Sequence, residues 1–510
     1  MARPRKQASP PPRPEPETRA RWDGVTLAAL IATCIAGAFV FRSALGYFFA
    51  QDDFAGLARA AGVLPRLTGP WRFLSGQTYF DLMRALAGLD PRPYHAASLL
   101  AHVGCGALLF VLLSARLPTA AAFVGAVFFA VHPALFTALY SVSGIGEILA
   151  LLFGLGALLA ATARGRRRWL AVPLFASSLL AKESTLLLPL AVPLLPSRKQ
   201  SARPFLDPVF GSLAALSIMY LAYFLVSDAF GVRSTLPESA PYALGVGDHV
   251  LWNFLSYLGW TCNITILTVR SFTDAVDPSV HPYAFGALVI WIAAAFSARL
   301  RARGWLYGGA LYAILLLPVL PLRNHTYHYY LYAPLAGAAW CVAALFSTAV
   351  SAAKPADGSR PARTAWMGAV LVATLLTVNG ALLVRKIETQ PFVHPEMRAD
   401  PTIDRARIAQ RVTGALRDSP VPGGTALWFW SPQMPGDRRA GYWKQNVRDA
   451  LMDGLAVRVL FPNVRAVEFV DEFRPVPPGD RYAVYARDGH LRLATSAELE
   501  SLVRVHPIQP

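Results

Sequence analysis

The segment 24–54, GVTLAALIATCIAGAFVFRSALGYFFAQDDF, begins as an apolar run and ends on two adjacent carboxylates, Asp52 and Asp53. An apolar run of this length predicts a helix that crosses a membrane. The run is too long for a signal-peptide core and has no clear small-residue cleavage site. We therefore expect an uncleaved first span at 24–49, with the acidic pair just beyond its end.

The composition extends this expectation to most of the chain. Of 510 residues, 54% are hydrophobic and 15% are charged, whereas soluble domains carry about 25% charge. The net charge of +17 does not predict a nucleic-acid partner, because the basic clusters lie between apolar runs, as in the cytoplasmic loops of membrane proteins. The four cysteines lie in or beside apolar runs without CxxC spacing, so we expect neither disulfides nor a zinc site.

The distribution of Arg and Lys predicts the topology. Residues 1–23 are rich in Pro and Arg and should form a disordered cytoplasmic tail. About eleven spans then place the N-terminus inside and the C-terminus outside. The expected spans are 24–49, 95–114, 119–140, 145–163, two short arms within 169–196, 208–228, 284–299, 305–321, 329–349 and 364–384.

Two stretches allow alternative threadings. Lys182 and Glu183 interrupt the apolar run 169–196 near its middle. Two short arms would leave them at the floor of an outward-facing cavity, whereas a single tilted helix would bury both charges and break the charge rule. The stretch 249–269 contains several polar residues and is predicted to be a re-entrant or surface helix, with a further span as the alternative.

Residues 386–510 differ in kind from the rest. Helical patterns at 402–417 and 441–454 alternate with strand-like runs at 425–430, 456–460, 465–470 and 481–486. The predicted fold is thus an all-α polytopic membrane protein. Residues 24–385 form the membrane domain, 51–93 its first extracytoplasmic loop, and 386–510 a small extracytoplasmic α/β domain.

Polar residues are costly at membrane depth, so clusters of them are candidate functional sites. Asp52 and Asp53 should repel each other and raise one pKa, which suits a general base or a cation ligand. The alternative is that one of them caps the helix that follows. Lys182 and Glu183 could form an ion pair with each other at the tip of a helical hairpin. Alternatively, the Lys182 cation is directed at a phosphate.

The threading places further polar residues at the same outer face. Each has a structural alternative: His132 could end a helix, Glu147 could favour a helix dipole, and tyrosines mark membrane interfaces. His95 and His102 are seven apart on one helix face, and packing explains them more simply than a metal. The remaining candidates lie together at the end of one span: Arg323, His325, His328 and Tyr330.

Several of these segments, taken in order, resemble the integral-membrane glycosyltransferases of the GT-C superfamily, above all protein O-mannosyltransferase-like and TMTC-like members. The likeness covers about residues 25–385. It departs at Ile145-Gly146, where members often carry an Arg, and no Tyr-Arg-Pro precedes the second span. The matching motifs are Gln51-Asp52-Asp53-Phe54, Gly88-Leu89-Asp90-Pro91 with Tyr94-His95 and His102, Phe129-Ala130-Val131-His132-Pro133, Ser143-Gly144 with Glu147-Ile148-Leu149, Ala181-Lys182-Glu183 before Leu188-Pro189, and Tyr329-Tyr330-Leu331-Tyr332.

The resemblance implies an inverting transfer of a sugar from a polyprenyl-phosphate donor to an acceptor hydroxyl on a protein, glycolipid or cell-envelope glycan, in the inner membrane. Asp52 or Asp53 would be the base. Lys182 and Arg323 would stabilise the lipid phosphate, assisted by His325 or His328, and Glu147 would orient a substrate. His132, Glu183 and Tyr330 would also belong to the donor site. No cofactor is required, although Asp52 and Asp53 could instead hold a divalent cation.

Two other functions fit an intramembrane polar cluster. A transporter or flippase of a lipid-linked substrate would need charge in the membrane, but such proteins place it near the midplane and often show inverted repeats, and no repeat is visible. A catalytically inactive scaffold would use the C-terminal domain to recruit partners.

Overall fold

The computed structural model describes residues 23–195, 204–227, 237, 242–264, 281–352, 360–388, 401–430, 446–470, 473–485 and 491–505. Residues 1–22 of the predicted tail 1–23 and the basic residues Arg198, Lys199 and Arg203 lie outside these ranges. The described chain is mostly helical and ends in a small sheet. This confirms the predicted fold class in outline.

The membrane domain consists of helices of very unequal length. They are α1 (Gly24–Val40), α2 (Asp52–Ala60), α3 (Tyr79–Ala87), α4 (Pro91–Ser114), α5 (Thr119–Ala130), α6 (Phe136–Tyr140), α7 (Ile145–Ala161), α8 (Ala171–Ala181), α9 (Pro208–Val226), α10 (His249–Thr261), α11 (His281–Ala295), α12 (Ala298–Ala302), α13 (Trp305–Leu316), α14 (Leu335–Ala352) and α15 (Arg360–Glu388).

Five of the described helical segments are long and apolar enough to cross a membrane, and a bent pair gives a sixth if it counts as one span. Eleven spans are therefore not confirmed. The helices at 24–40, 281–295 and 305–319 are apolar but shorter. The five segments are Pro91–Ser114, Val142–Ala161, Pro208–Val226, Leu335–Ala352 and Trp366–Val384, and the bent pair is Thr119–Ala130 with Pro133–Tyr140.

Small residues allow the inner helices to approach closely. A Cβ at Gly337 of α14 would lie 2.4 Å from the backbone N of Tyr312 in α13, so only glycine fits at this crossing. Close packing through small residues is typical of helices in membranes. Several outer helices instead expose large apolar side chains, among them Ile35, Ile218 and Ile290, as lipid-facing surfaces do.

The two ambiguous stretches fold as short elements. Helix α8 ends at Ala181, and Lys182 adopts an extended conformation (φ −165°) before the chain turns at Glu183–Thr185. The described residues 169–195 therefore do not form a single continuous helix. Helix α10 has 13 residues, or roughly 20 Å at 1.5 Å per residue, which is too short for a hydrocarbon core of about 30 Å.

The C-terminal domain consists of α16 (Pro401–Asp418), β1 (Ala426–Trp430), α17 (Leu455–Leu460), β2 (Ala466–Phe469), β3 (Arg481–Tyr485), β4 (Leu491–Ala494) and α18 (Ser496–Val505). The strand order is β2-β1-β3-β4. Strand β1 pairs in parallel with β2 and β3, and β4 is antiparallel to β3.

One predicted strand is wrong. Residues 455–460 form α17, which begins after Gly454 in the left-handed conformation (φ 86°) and buries Ala456, Val457 and Val459. A short apolar run rich in valine is ambiguous between strand and buried helix. These residues form a helix here because the helix packs against α2.

Candidate active site

Asp53 lies at the junction between α1, α2 and the turn before α7. Its side chain is 1% exposed. Oδ1 accepts hydrogen bonds from the Ser143 backbone N at 2.7 Å and from Ser141 Oγ at 3.0 Å, and Oδ2 accepts one from the Ala50 backbone N at 3.0 Å. The carboxylate therefore fixes the chain before α2 to the turn that leads into α7.

Burial raises the pKa of Asp53 to about 6, and the hydrogen bonds from Ala50, Ser143 and Ser141 oppose this rise. The upward shift of this pKa agrees with the sequence prediction for one member of the acidic pair, but its physical cause is different. Repulsion from Asp52 is not among the causes, because desolvation of the charged form dominates.

Asp52 occupies a different environment from its neighbour. It is exposed, in the first turn of α2, where a negative charge is favoured by the helix dipole. Gln51 before it has φ 50° and ψ −126°, a conformation that is strained for any residue except glycine. The acidic pair is thus divided: Asp53 is held by the protein, and Asp52 is accessible to other molecules.

A second group of side chains lies at the N-terminal end of α7. Lys182 Nζ is 2.9 Å from Glu147 Oε1, with side chains 12% and 1% exposed. The approach is not along a hydrogen-bonding direction, so both Glu147 carboxylate oxygens lack a hydrogen-bond donor among the described residues. The same ammonium lies over the rings of Tyr329 and Tyr330, 4.9 and 5.6 Å from their centroids.

Glu183 pairs with a cation from the first loop. Arg72 Nε and Nη2 lie 3.1 and 2.5 Å from the two Glu183 carboxylate oxygens, in a bidentate arrangement. Like Gln51, Arg72 has a left-handed backbone (φ 52°). Because Lys182 and Glu183 are neighbours in the sequence, the Lys182–Glu147 and Arg72–Glu183 ion pairs lie side by side in one cluster.

The backbone brings these segments together at close range. Ser75 Oγ donates to the Ala181 carbonyl at 2.6 Å. A Cβ at Gly146 would lie 3.2 Å from Ser75 Oγ and 3.5 Å from that carbonyl. Three residues that sequence reasoning placed at one face, Glu147, Lys182 and Glu183, therefore do meet, and the loop containing Arg72 closes over them.

His325 lies beside this cluster, and Arg323 is two residues before it in the sequence. The Arg323 backbone N donates to the Ala243 carbonyl at 2.9 Å, and its guanidinium lies against the backbone of Gly245. His325 Nε2 is 2.9 Å from Tyr329 Oη, and its ring centroid is 4.2 Å from that of Tyr242. His325 thus contacts the same tyrosine that lies under Lys182.

His132 and His328 have structural surroundings. His132 is fully buried. Its Nδ1 accepts from the Ala134 backbone N at 3.2 Å, so Nε2 carries the proton and donates to the Thr261 carbonyl at 3.1 Å. The His328 ring centroid is 4.1 Å from that of Trp260. These contacts favour the helix-ending interpretation of His132 over a role at the donor.

The candidate metal ligands of the described residues lie apart from one another. Among the described residues, no group of three or more His, Cys, Asp or Glu side chains is placed to hold an ion. Asp53 is buried and accepts three hydrogen bonds, whereas Asp52 is exposed, so the two carboxylates lie in different environments. His95 and His102 do not converge either, because His102 bonds Tyr332 Oη at 2.8 Å and the Ala130 carbonyl at 3.0 Å.

Sequence reasoning did not include Arg72, Ser141 or Ser143 among the site residues. The signal for the serines was present, since Ser143-Gly144 belongs to the matching motifs. Arg72 stands where the expected Tyr-Arg-Pro is missing. Its partner Glu183 is 111 residues away, so the ion pair could be recognised only from the folded structure.

None of the protein-family models, curated proteins or solved structures compared with this chain matches it.

The buried Asp53 predicts an acidic limb in the pH dependence of activity. A protonated carboxyl is a weaker acceptor for the N–H groups of Ala50 and Ser143, so we expect these two contacts to weaken and catalytic activity to fall below about pH 6. The pH profile of kcat/KM in wild type and Asp53→Asn checks this. The limb should disappear in the variant, which should also be less active because its amide places N–H against a backbone N–H.

Protonation of Asp53 is expected to affect stability and activity in opposite directions. Its pKa in the folded protein exceeds the ordinary value of 3.8, so the folded state binds the proton more tightly than the unfolded chain does. This contribution to stability is full at low pH and is lost as the pH rises through about 6.

The activity profile also shows which result would contradict this role of Asp53. An acidic limb in kcat/KM that persists unchanged in Asp53→Asn would mean that a group other than Asp53 causes the limb.

Proposed function

We propose that this protein is a membrane glycosyltransferase that moves a sugar from a polyprenyl-phosphate-linked donor to an acceptor hydroxyl outside the cytoplasm, with inversion. The observation that carries the proposal is the pairing of an exposed Asp52 with a buried Asp53. Asp53 binds the turn at Ser143, and Glu147, which pairs with Lys182, follows four residues later. The hydrogen bond from Ser143 to Asp53 therefore connects the segment that carries the proposed base, Asp52, to the segment that carries Glu147.

In this mechanism Asp52 takes the proton of the acceptor hydroxyl. The oxygen attacks the anomeric carbon, a new glycosidic bond forms, and the bond from that carbon to the phosphate oxygen breaks. The phosphate leaves with the electron pair. Lys182, Arg72 and Arg323 stabilise its charge in a site of low dielectric. Arg guanidinium groups suit this role because they bind phosphate in a bidentate manner.

The carboxylates Glu147 and Glu183 have a second role in the proposal. They neutralise Lys182 and Arg72 before the donor binds, since unpaired charges would be costly in this environment. A bound phosphate would share these cations with their carboxylates. His325 and Tyr330 would line the same donor site, and Glu147 would also orient the sugar.

The proposed topology keeps eleven spans in the inner membrane, with residues 1–23 in the cytoplasm and 386–510 outside. Helix α7 supports it. Glu147 lies in its first turn, and the cluster Arg164–Arg168 follows its last turn, so the basic cluster and the proposed site lie at opposite ends of one span. The hydrogen bond between the Gln51 backbone N and the Ala450 carbonyl supports a topology in which the C-terminal domain lies on the same side of the membrane as Asp52.

The charge distribution favours transfer over transport. A transporter would be expected to hold its charges near the midplane at a repeat interface. Here Glu147 and its partner Lys182 lie at the first turn of α7, at the end of that span opposite the basic cluster Arg164–Arg168. An inactive scaffold would not require a buried ion-pair cluster that its own fold has to stabilise.

The proposal is tested by incubating membranes that contain the protein with radiolabelled polyprenyl-phosphate mannose, and in parallel with the glucose and galactose forms. We expect label from one of the donors to reach a product other than the donor lipid. Excess EDTA should leave the rate unchanged, because cations from the protein stabilise the phosphate and the Asp53 oxygens are already occupied. Loss of activity in EDTA with recovery on adding Mn²⁺ or Mg²⁺ would contradict this mechanism.

A further inference from the structure

The C-terminal domain contacts the acidic segment directly. The Gln51 backbone N donates to the Ala450 carbonyl at 3.2 Å, and the Gln51 carbonyl accepts from the Phe54 backbone N at 2.9 Å. Gln51 immediately precedes Asp52, and its left-handed backbone is strained. Such a conformation persists only where surrounding contacts hold it. Ala450 supplies one of those contacts from the other domain.

The Ala450 side of this contact is strained as well. The chain leaves Ala450 through Leu451 into three consecutive left-handed residues, Met452 (φ 48°), Asp453 (φ 51°) and Gly454 (φ 86°). Two of these are not glycine, and left-handed runs are disfavoured for L-amino acids. Helix α17 starts at once after this turn and packs against α2. The turn therefore lets the domain present a carbonyl and a helix to the acidic segment.

A charged side chain of the domain lies near the other end of the segment. Arg407 of α16 lies near the hydroxyl of Tyr47, which is four residues before Gln51. Asp404 lies 3.6 Å from the same guanidinium. Helix α16 also packs against α6, which leads into Ser141 and Ser143. The domain thus contacts both chain segments that the Asp53 carboxylate joins.

The packing between these elements is continuous. Phe49, Phe54 and Leu57 of the membrane domain belong to the same buried apolar cluster as Val447 and Leu451 of the C-terminal domain. An independent appendage would be expected to have its own core and a more polar boundary.

We propose that the C-terminal domain is a positioning element of the catalytic centre: through Arg407 and the Ala450 carbonyl it holds segment 47–51 and so sets the direction of Asp52. This inference rests on the proposed function. The domain would therefore act on the rate of the chemical step, rather than only on binding of the acceptor. Arg407 and Tyr47 are positioning residues, since neither contacts the reacting atoms.

The test compares Arg407→Ala and Tyr47→Phe with two controls in the full chain. Arg407→Lys retains a cation, and Arg411→Ala removes an exposed arginine of the same helix. With polyprenyl-phosphate mannose as the probe, or whichever of the three donors is active, Arg407→Ala should lower kcat by about tenfold and leave KM for the donor unchanged. Arg407→Lys should recover part of the loss, and Arg411→Ala should match wild type.

Hydrogen exchange gives a second readout that is independent of activity. The peptide containing residues 47–54 should exchange faster in Arg407→Ala and Tyr47→Phe than in wild type, because the Gln51 amide loses its protection. Wild-type kcat together with wild-type exchange in both variants would overturn the inference. If wild type transfers no sugar but exchange still responds to Arg407→Ala, the proposed function fails and the positioning contact stands.

Discussion

Asp52→Asn is expected to reduce sugar transfer by about 10²–10⁴-fold, the usual effect of removing a general base. Asparagine has nearly the same shape and still suits a helix N-terminus, so expression and membrane insertion should not change. Because Asp52 is exposed and Asp53 keeps its three hydrogen bonds, the structure around the site should survive the substitution. The measurement is the initial rate of transfer from the radiolabelled donor at saturating concentration.

The matched control for this variant is Asp90→Asn. Asp90 is also exposed, lies in the same loop and caps α4 by accepting a hydrogen bond from the Arg92 backbone N at 3.1 Å. It should retain wild-type activity, since asparagine caps a helix as well as aspartate does. Full activity of Asp52→Asn would contradict the assignment of Asp52 as the base.

Lys182→Met is expected to abolish transfer and to destabilise the protein. It leaves the Glu147 carboxylate buried without its cation, and breaking a buried ion pair in this way costs about 3–5 kcal/mol. Loss of activity alone would therefore not distinguish folding from catalysis. Thermal unfolding in detergent and transfer in membranes should both be measured, first for the single variant.

The double variant Lys182→Met/Glu147→Gln separates the two effects. It removes both charges at similar volume, so the melting temperature should return most of the way to wild type. Transfer should remain absent, because the phosphate would have lost a cation. A double variant that recovers activity along with stability would show that the pair is only structural, and Lys182 would leave the mechanism.

The sequence predicted the outline of the site better than its internal contacts. The charge rule and the interrupted run at Lys182 placed Glu147, Lys182 and Glu183 at one end of the helices, and they do meet. The separation of Asp52 from Asp53 follows from geometry, since neighbouring residues on a helix point about 100° apart. Which of the two would be buried depended on the turn at Ser141 and Ser143, nearly ninety residues away.

Other parts of the prediction failed because they depended on contacts between distant segments. Residues 455–460 have the composition of a strand, but α2 offers them a surface on which a helix packs. Arg72 stands in a loop with no periodicity, and only the closure of that loop over Ala181 reveals its partner Glu183. Strand β4 was not predicted, since pairing with β3 supplies the order that its short sequence does not.

The central claim is tested most directly by mass spectrometry of envelope glycans from three strains: wild type, a strain that lacks the protein, and a strain that expresses Asp52→Asn at equal level. We predict one glycan or glycoprotein species that loses a single hexose in the deletion strain, with the same loss in the Asp52→Asn strain. A glycan profile that is identical in all three strains would contradict the account. So would a change in the deletion strain that Asp52→Asn fully reverses, because the protein would then act without its proposed base.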